Sequence, residues 1–369
     1  MNKFYIIYFG GEILIIRSKA PLRVSFGGGG TDVAPFCENQ GGAIIGSTIN
    51  KYAYCSVIPR DDEEIIVHSL DFDMTVKYKA KENFVYDGKL DLVKAALKAI
   101  NIKQGCEVYL HCDAPPGSGL GTSSTVMVAL LSAMAKWKKI DYDNYAMADM
   151  AFGMERIDLG ISGGYQDQYA STFGGFNFME FHGRNKVVVN PLRIHKDIIN
   201  ELQYNLIMCY TGGVHVSANI IDDQVKNYDN KDSFKAMCEV KALAYAMKDE
   251  LLRGNLNAFG KLLDYSWISK KKMSKKITAP VIDVLYNRAK NEGAIGGKLL
   301  GAGGGGFLLI YCPFNARHKV AAGLEEMGGQ ILDWNFELRG VRSWVVDDKR
   351  WDYKDIDVMI SDGEFKFEI

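Results

Sequence analysis

Apolar and polar positions divide the chain into a front part of short, strand-like segments and a back part of long helical repeats. From Ile13 to Ile58, stretches rich in Ile, Val and Tyr are broken by glycine clusters, the pattern of strands joined by turns. Lys51 to Ile58 and Ile65 to Tyr78 read as further strands, and Cys106 to Cys112 as another. Leu90 to Ile100 spaces its apolar residues at helical intervals. Helices are also expected over Ser123 to Lys138 and Asn144 to Arg156, and a short one opens near Asp167. Gly174 to Phe181 and Lys186 to Val189 read as a hairpin. Composition shifts around Pro191 to Glu201, so the reading divides the chain into residues 1–195 and 196–369. The second part starts with a buried-type strand, Leu206 to Tyr210, then runs through helical patterns at Ser217 to Asn227, Ser233 to Arg253, Leu256 to Ser269 and Val281 to Asn291. A strand at Phe307 to Tyr311, a helix at Arg317 to Met327, and strands at Ile331 to Leu338 and Val341 to Val346 close it.

Composition narrows the classes. Apolar and charged fractions of 47% and 24% are those of a globular protein, and the formal net charge of −1 gives no field that draws nucleic acid or an anionic membrane. Seven scattered cysteines without a Cys-x-x-Cys pair argue against a zinc site or a disulfide framework, and a reducing cytoplasm is expected. The apolar run Phe4 to Phe9 is too short to span a bilayer. Oligomeric state is left open. Lys270, Lys271, Lys272, Lys275 and Lys276 form a basic run that reads as a solvated helix face.

Candidate chemistry concentrates in glycine-rich segments. Pro115 to Thr125 sets glycines and small hydroxyl residues after two prolines, and the apolar helix from Val126 follows at once. A glycine turn opening a helix leaves backbone N–H groups without intrahelical partners, and the helix dipole adds positive charge: an anion site suited to phosphate. The Walker pattern is absent, since no Lys-Ser or Lys-Thr follows the glycines. Gly301, Gly303 and Gly306 match the dinucleotide spacing, but a strand follows where that fingerprint requires a helix. This cluster is instead expected to let backbone approach the ligand of the Pro115 to Thr125 turn. Four glycines at Gly27 to Gly30, before Thr31 and Asp32, allow a third close approach. By residue type alone, Asp167 reads as a helix cap, Glu155 as a solvated helix residue, Arg23 as a strand charge and Asp32 as a turn residue.

Together these three segments resemble the signature motifs of the GHMP kinase superfamily: Ala20 to Asp32, Pro116 to Ser124 and Lys298 to Phe307. The tetraglycine form of the first, with Ser18 to Arg23 before it and Gly42 to Tyr52 after it, resembles the bacterial D-glycero-D-manno-heptose 7-phosphate kinases, which make activated heptose for lipopolysaccharide or capsule. L-Fucose kinase domains share the style.

The resemblance implies a two-domain α+β fold with the active site in the interdomain cleft, and ATP and Mg²⁺ as cofactors. It implies a sugar phosphate as acceptor, with no nucleic-acid or membrane partner. Pro116, Gly117, Ser118, Gly119, Leu120, Gly121, Thr122, Ser123 and Ser124 become the nucleotide loop, and Gly303, Gly304 and Gly305 the cleft loop. Asp167 becomes the catalytic aspartate and Arg23 its basic neighbour. Gly30, Thr31 and Asp32 become the sugar contacts. Glu155 becomes a magnesium ligand with Ser123, or with Ser124 in the alternative register. Asp167 acts either as base or as an orienting group. The acceptor's own phosphate needs basic groups, for which Arg17, Lys19, Lys51, Arg60 and Lys298 are candidates. A kinase for an unphosphorylated sugar and a non-catalytic sugar-binding protein are the competing readings.

Overall fold

The computed structural model describes residues 8–9, 12–183, 186–212, 217–346, 358–361 and 364–367. Phe4 to Ile7, part of the apolar N-terminal run, lie outside the described residues. Two long antiparallel strands, β1 (Ile15–Gly27) and β2 (Gly42–Pro59), form the spine of the larger sheet. The start of β1 alternates between buried and more open positions, whereas Ala20 to Gly27 is buried throughout. The β1–β2 register slips between Pro21 and Arg23. Proline has no N–H for the ladder, and such a bulge re-aims the next side chain. That residue is Arg23. A short helix, α1 (Phe36–Asn39), lies between the two strands.

The sheet continues through β3 (Glu64–Ser69), β4 (Met74–Lys79) and β5 (Cys106–Cys112), with helix α2 (Asp91–Ala99) before β5. The expected strand Ile65 to Tyr78 is thus two strands, split by a turn at Leu70 to Asp73 where Asp73 takes a left-handed conformation. Strand β3 pairs parallel to β5 and antiparallel to β4. Helix α3 (Thr122–Lys138) packs on β1 and β2 with Met127, Val128, Leu130 and Leu131 fully buried. Helices α4 (Asn144–Phe152) and α5 (Gln166–Phe173) and the hairpin β6 (Asn177–Phe181)–β7 (Val187–Pro191) follow, with β6 added to β2.

After α6 (Lys196–Asn205) comes β8 (Leu206–Tyr210), then helices α7 (Ser217–Lys226), α8 (Lys231–Arg253), α9 (Leu256–Lys271) and α10 (Pro280–Asn291). Asn230 caps α8 by accepting from the N–H groups of Asp232 and Ser233, and Pro280 opens α10 at a position where a missing N–H costs nothing. Strands β9 (Gly296–Leu299) and β10 (Phe307–Tyr311), helix α11 (Arg317–Glu326) and strand β11 (Gln330–Leu332) complete a four-stranded antiparallel sheet of order β9-β10-β8-β11 among the described residues.

The chain then returns to the larger sheet. Strands β12 (Phe336–Glu337) and β13 (Arg342–Val346) pair with β2 and β1. The division at residues 195 and 196 is therefore crossed, because the edge of β1 is closed by the C-terminal part of the chain. One apolar core runs through both parts: Phe26 of β1 meets Phe259 of α9 edge-on at 5.4 Å, and Leu300, Phe307 and Leu309 join the cluster that contains α3. Truncation of α3 tests this packing. Leu130→Ala is expected to lower stability by about 2–5 kcal/mol, read as a shifted urea midpoint; a loss near zero would mean that α3 is not clamped in the core.

Candidate active site

Pro116, Gly117, Gly119, Gly121, Thr122, Ser123 and Ser124 line a cavity of about 360 Å³ at the N-terminus of α3. Gly121 caps the helix at φ +77°, a conformation glycine takes without strain. Ser118 and Leu120 of the same loop do not line the cavity. Leu120 is fully buried in the core, and Ser118 faces the third glycine loop, its carbonyl accepting from Phe307 N at 3.2 Å. That contact explains the glycines on both sides. A Cβ on Gly306 would stand 2.1 Å from the Ser118 carbonyl oxygen, and one on Gly301 2.5 Å from the Gly119 Cα. Gly301 and Ala302 reach the cavity. Gly303, Gly304 and Gly305 do not: Gly304 donates to the Ile277 carbonyl at 2.9 Å, a Cβ on Gly303 would meet the Ile277 backbone at 2.7 Å, and Gly305 is buried. They seat the loop on the α9–α10 connection.

The adjoining wall comes from β1 and α5. Asp167, one residue into α5, is held by Arg23, whose Nε donates at 2.7 Å and whose Nη2 lies 2.7 Å from the same oxygen. Arg23 is 5% exposed, so it is an inward charge rather than a surface one. Its Nη1 donates to the Gly119 carbonyl at 2.5 Å, which ties the anion loop to the carboxylate. Asp32 is fully buried and accepts from the N–H groups of Gly30 and Gln166 at 3.2 and 3.1 Å. Burial, and secondarily the neighbouring Asp167, raise its pKa above the usual carboxylate value. Asp32 and Gly30 line the cavity, but Thr31 does not. Its hydroxyl donates towards the Gly28 and Ala43 carbonyls and accepts from Ala43 N, so it closes the β1–β2 turn instead of facing a sugar.

Glu155 sits in a π-helical turn, Gly153–Asp158, that continues α4 where an uninterrupted α-helix was expected. Such a turn shifts the face that following residues present. Glu155 is 1% exposed, not solvated, and its Oε2 accepts from Ser124 Oγ at 2.6 Å and Gln168 Nε2 at 2.7 Å. Arg156 Nη1 lies 3.3 Å from its other oxygen. The hydroxyl beside Glu155 is thus Ser124; Ser123, the first choice from the sequence, is exposed and also lines the cavity without meeting Glu155. Consecutive helix positions point about 100° apart, so the contact with Glu155 falls to Ser124 alone.

The structure also recruits a residue that the sequence reading dismissed. Lys270 lines the cavity at 3% exposure, although its neighbours in the basic run are surface groups. Burial, then Arg23, push its ammonium pKa down to about 8. Helical spacing from Phe259, Leu263 and Trp267, all fully buried, would have flagged position 270 as inward. The earlier basic candidates do not line this cavity. Arg17 is exposed on β1, Lys19 lies over the Tyr52 ring at 4.2 Å, Lys51 is half-buried, and Arg60 is paired with Asp62 and Glu107. Lys298 is buried and donates to the Ser25 carbonyl at 2.8 Å.

A second cavity of about 470 Å³ shares Pro116, Gly117, Thr122, Ser123 and Ile161 with the first and is otherwise walled mainly by apolar groups such as Leu90, Val93, Leu110 and Val126. Its walls come from segments far apart in the chain. An anion loop between an apolar pocket and a carboxylate–arginine pair suits the movement of a phosphoryl group from a nucleotide to a hydroxyl.

Comparison with known proteins agrees with this arrangement. Residues 89–175 match the GHMP kinases N terminal domain and residues 247–330 the GHMP kinases C terminal domain. A D-glycero-alpha-D-manno-heptose 7-phosphate kinase from Campylobacter jejuni is 37% identical over 334 residues, covering 89% of this chain and 98% of the relative. A crystal structure of a D-glycero-D-manno-heptose 1-phosphate kinase from Bacteroides thetaiotaomicron superposes with a TM-score of 0.77 at 32% identity, over 90% of this chain and 99% of that one. A putative sugar kinase from Campylobacter jejuni superposes with a TM-score of 0.75 at 36% identity, over 90% and 98%. With the glycine loops, the buried core and the carboxylate–arginine pair falling in one arrangement, the chain belongs to the GHMP kinase family and is an ATP-dependent phosphotransferase.

Proposed function

We propose that this kinase transfers the γ-phosphoryl group of ATP to the anomeric hydroxyl of D-glycero-D-manno-heptose 7-phosphate, giving the 1,7-bisphosphate and ADP. The observation that carries the reaction type is the Asp167–Arg23 pair set directly against the anion loop in a single cavity. The heptose comes from the Campylobacter relative, which matches over nearly its whole length. An L-fucokinase/L-fucose-1-P guanylyltransferase from Bacteroides fragilis is 26% identical and is covered over only 34% of its length, which supports fucose less well. Seven free thiols fit a reaction in the reducing cytoplasm.

In this reading, backbone N–H groups of Gly117 to Ser124 hold the nucleotide phosphates, and the apolar second cavity takes the base. Asp167 accepts the proton of the acceptor hydroxyl as its oxygen bonds to the γ-phosphorus; the bond from that phosphorus to the β-phosphate oxygen breaks and ADP leaves. Arg23 fixes the carboxylate against the loop. The residues also fit magnesium: Ser124 and Glu155 bring hard oxygens to the cavity lining, and phosphates and waters would complete the shell of the ion. Magnesium supplies charge neutralisation on the phosphate oxygens.

The direct test is ATP consumption with magnesium against a panel of sugars and sugar phosphates, with the product read by phosphorus NMR. A 1,7-bisphosphate from the 7-phosphate is expected; turnover of an unphosphorylated sugar alone would overturn the substrate. Asp167→Asn is expected to lower kcat by about 10²–10⁴-fold with ATP affinity kept, and wild-type turnover would remove Asp167 from catalysis. Ser124→Ala is expected to raise the magnesium concentration for half-maximal rate by at least about tenfold, with Ser123→Ala near wild type. The reverse ranking would return the metal to Ser123.

A further inference from the structure

Lys270 is the last residue but one of α9. Around it the basic run is neutralised at the surface: Lys271, Lys272 and Lys276 pair with Asp283, Glu239 and Asp223 at 3.3, 3.8 and 2.9 Å. Lys270 has no such partner. Among the described residues no carboxylate lies within 4.0 Å of its ammonium, and its hydrogen bond goes to the Gly301 carbonyl. A buried cation without a counter-ion is costly, and the cost is removed when an anion binds beside it.

The neighbouring charges sharpen the point. Arg23 brings a further buried cation to this end from β1, against Asp32 and Asp167, while Lys298 of β9 is shifted towards its neutral form by burial and by Lys270. Asp167 is already paired with Arg23. Asp32 is shifted towards its neutral form by burial. Positive charge is in surplus, and Lys270 is the member that reaches the cavity without a carboxylate. Its position in the cavity matters as well. The nucleotide phosphates are addressed by the α3 end with Ser124 and Glu155. Lys270 comes from α9: it donates to the carbonyl of Gly301, which packs against the anion loop, and its Nζ also stands 3.7 Å from where a Cβ on Gly29 would be, in a lining shared with Gly30, Asp32 and Gln224.

We infer that Lys270 is the specificity-determining cation of the acceptor site, contacting the phosphomonoester that the acceptor already carries. The inference rests on the phosphorylated-acceptor reading above and names the residue that enforces it. It also answers why none of Arg17, Lys19, Lys51 or Arg60 is needed at the cavity.

The experiment compares kcat/KM for heptose 7-phosphate and for the unphosphorylated heptose in wild type and in Lys270→Met, which keeps an unbranched side chain one atom shorter and removes the charge. The wild-type preference for the phosphorylated sugar is expected to fall by about 10- to 100-fold, with the KM for ATP changed less than the preference. Equal losses with both sugars, or an unchanged preference, would overturn the role while leaving the kinase assignment intact. A wild-type enzyme with no preference for the phosphorylated sugar would overturn the acceptor reading and this inference together. Wild type offers a second readout if the variant does not fold. The ammonium of the free enzyme loses its proton as pH rises through about 8, with Arg23, Lys298 and Asp32 the groups facing it. kcat/KM for the 7-phosphate is therefore expected to decline above that pH relative to the unphosphorylated sugar. Parallel profiles would contradict the role.

Discussion

The site depends on two glycine loops meeting backbone to backbone. The turn before α3 and the loop between β9 and β10 approach so closely that side chains at Gly119, Gly301 or Gly306 would collide with main-chain atoms of the other loop. This contact joins the two sheets next to the cavity, and the Phe307 N to Ser118 O hydrogen bond fixes its register. The same packing leaves the outer side of the anion loop open to a ligand, because Leu120 and Ser118 point away into protein. Glycine is required here for space, and at Gly121 also for the left-handed conformation that starts the helix.

Arg23 transmits that arrangement to the chemistry. One guanidinium spans the Gly119 carbonyl and the Asp167 carboxylate, so the phosphate loop and the start of α5 are set relative to each other by a single planar group. Its placement follows from the register slip after Pro21 in an otherwise regular strand. Asp32 performs a similar task one layer further in, fastening the tetraglycine loop to Gln166. Buried charge therefore does two kinds of work here. Arg23, Asp167, Asp32 and Glu155 have side-chain or backbone partners that answer their charge, whereas Lys270 is hydrogen-bonded only to the Gly301 carbonyl and has no carboxylate within 4.0 Å among the described residues.

Much of this was legible in the sequence because glycine clusters and apolar periodicity are local signals. The strands Cys106–Cys112, Leu206–Tyr210 and Phe307–Tyr311 and the helix from residue 122 or 123 to Lys138 coincide with what the pattern indicates. What escaped is set by long-range packing. Whether Thr31 or Asp32 faces the cavity depends on the carbonyl of Ala43 across the turn. Ser123 and Ser124 are equivalent as letters and differ only in which one meets Glu155, itself turned by a π-helical segment that no local pattern announces. Lys270 was hidden among lysines, since charge runs conceal which member lies on the apolar stripe. The return of Phe336–Glu337 and Arg342–Val346 to the larger sheet joins residues 287 to 331 positions apart, from Phe336 with Ile49 to Val346 with Ile15, beyond the reach of any local signal.

The central claim is that one cavity holds nucleotide phosphates on the α3 loop and the acceptor hydroxyl at Asp167. A crystal structure with a non-hydrolysable ATP analogue, magnesium and heptose 7-phosphate tests it most directly. The account predicts the triphosphate along Gly117 to Ser124, the metal at Ser124 and Glu155, and the anomeric hydroxyl within hydrogen-bond reach of Asp167. Nucleotide phosphates bound away from that loop, or an acceptor whose anomeric hydroxyl lies far from Asp167, would contradict it.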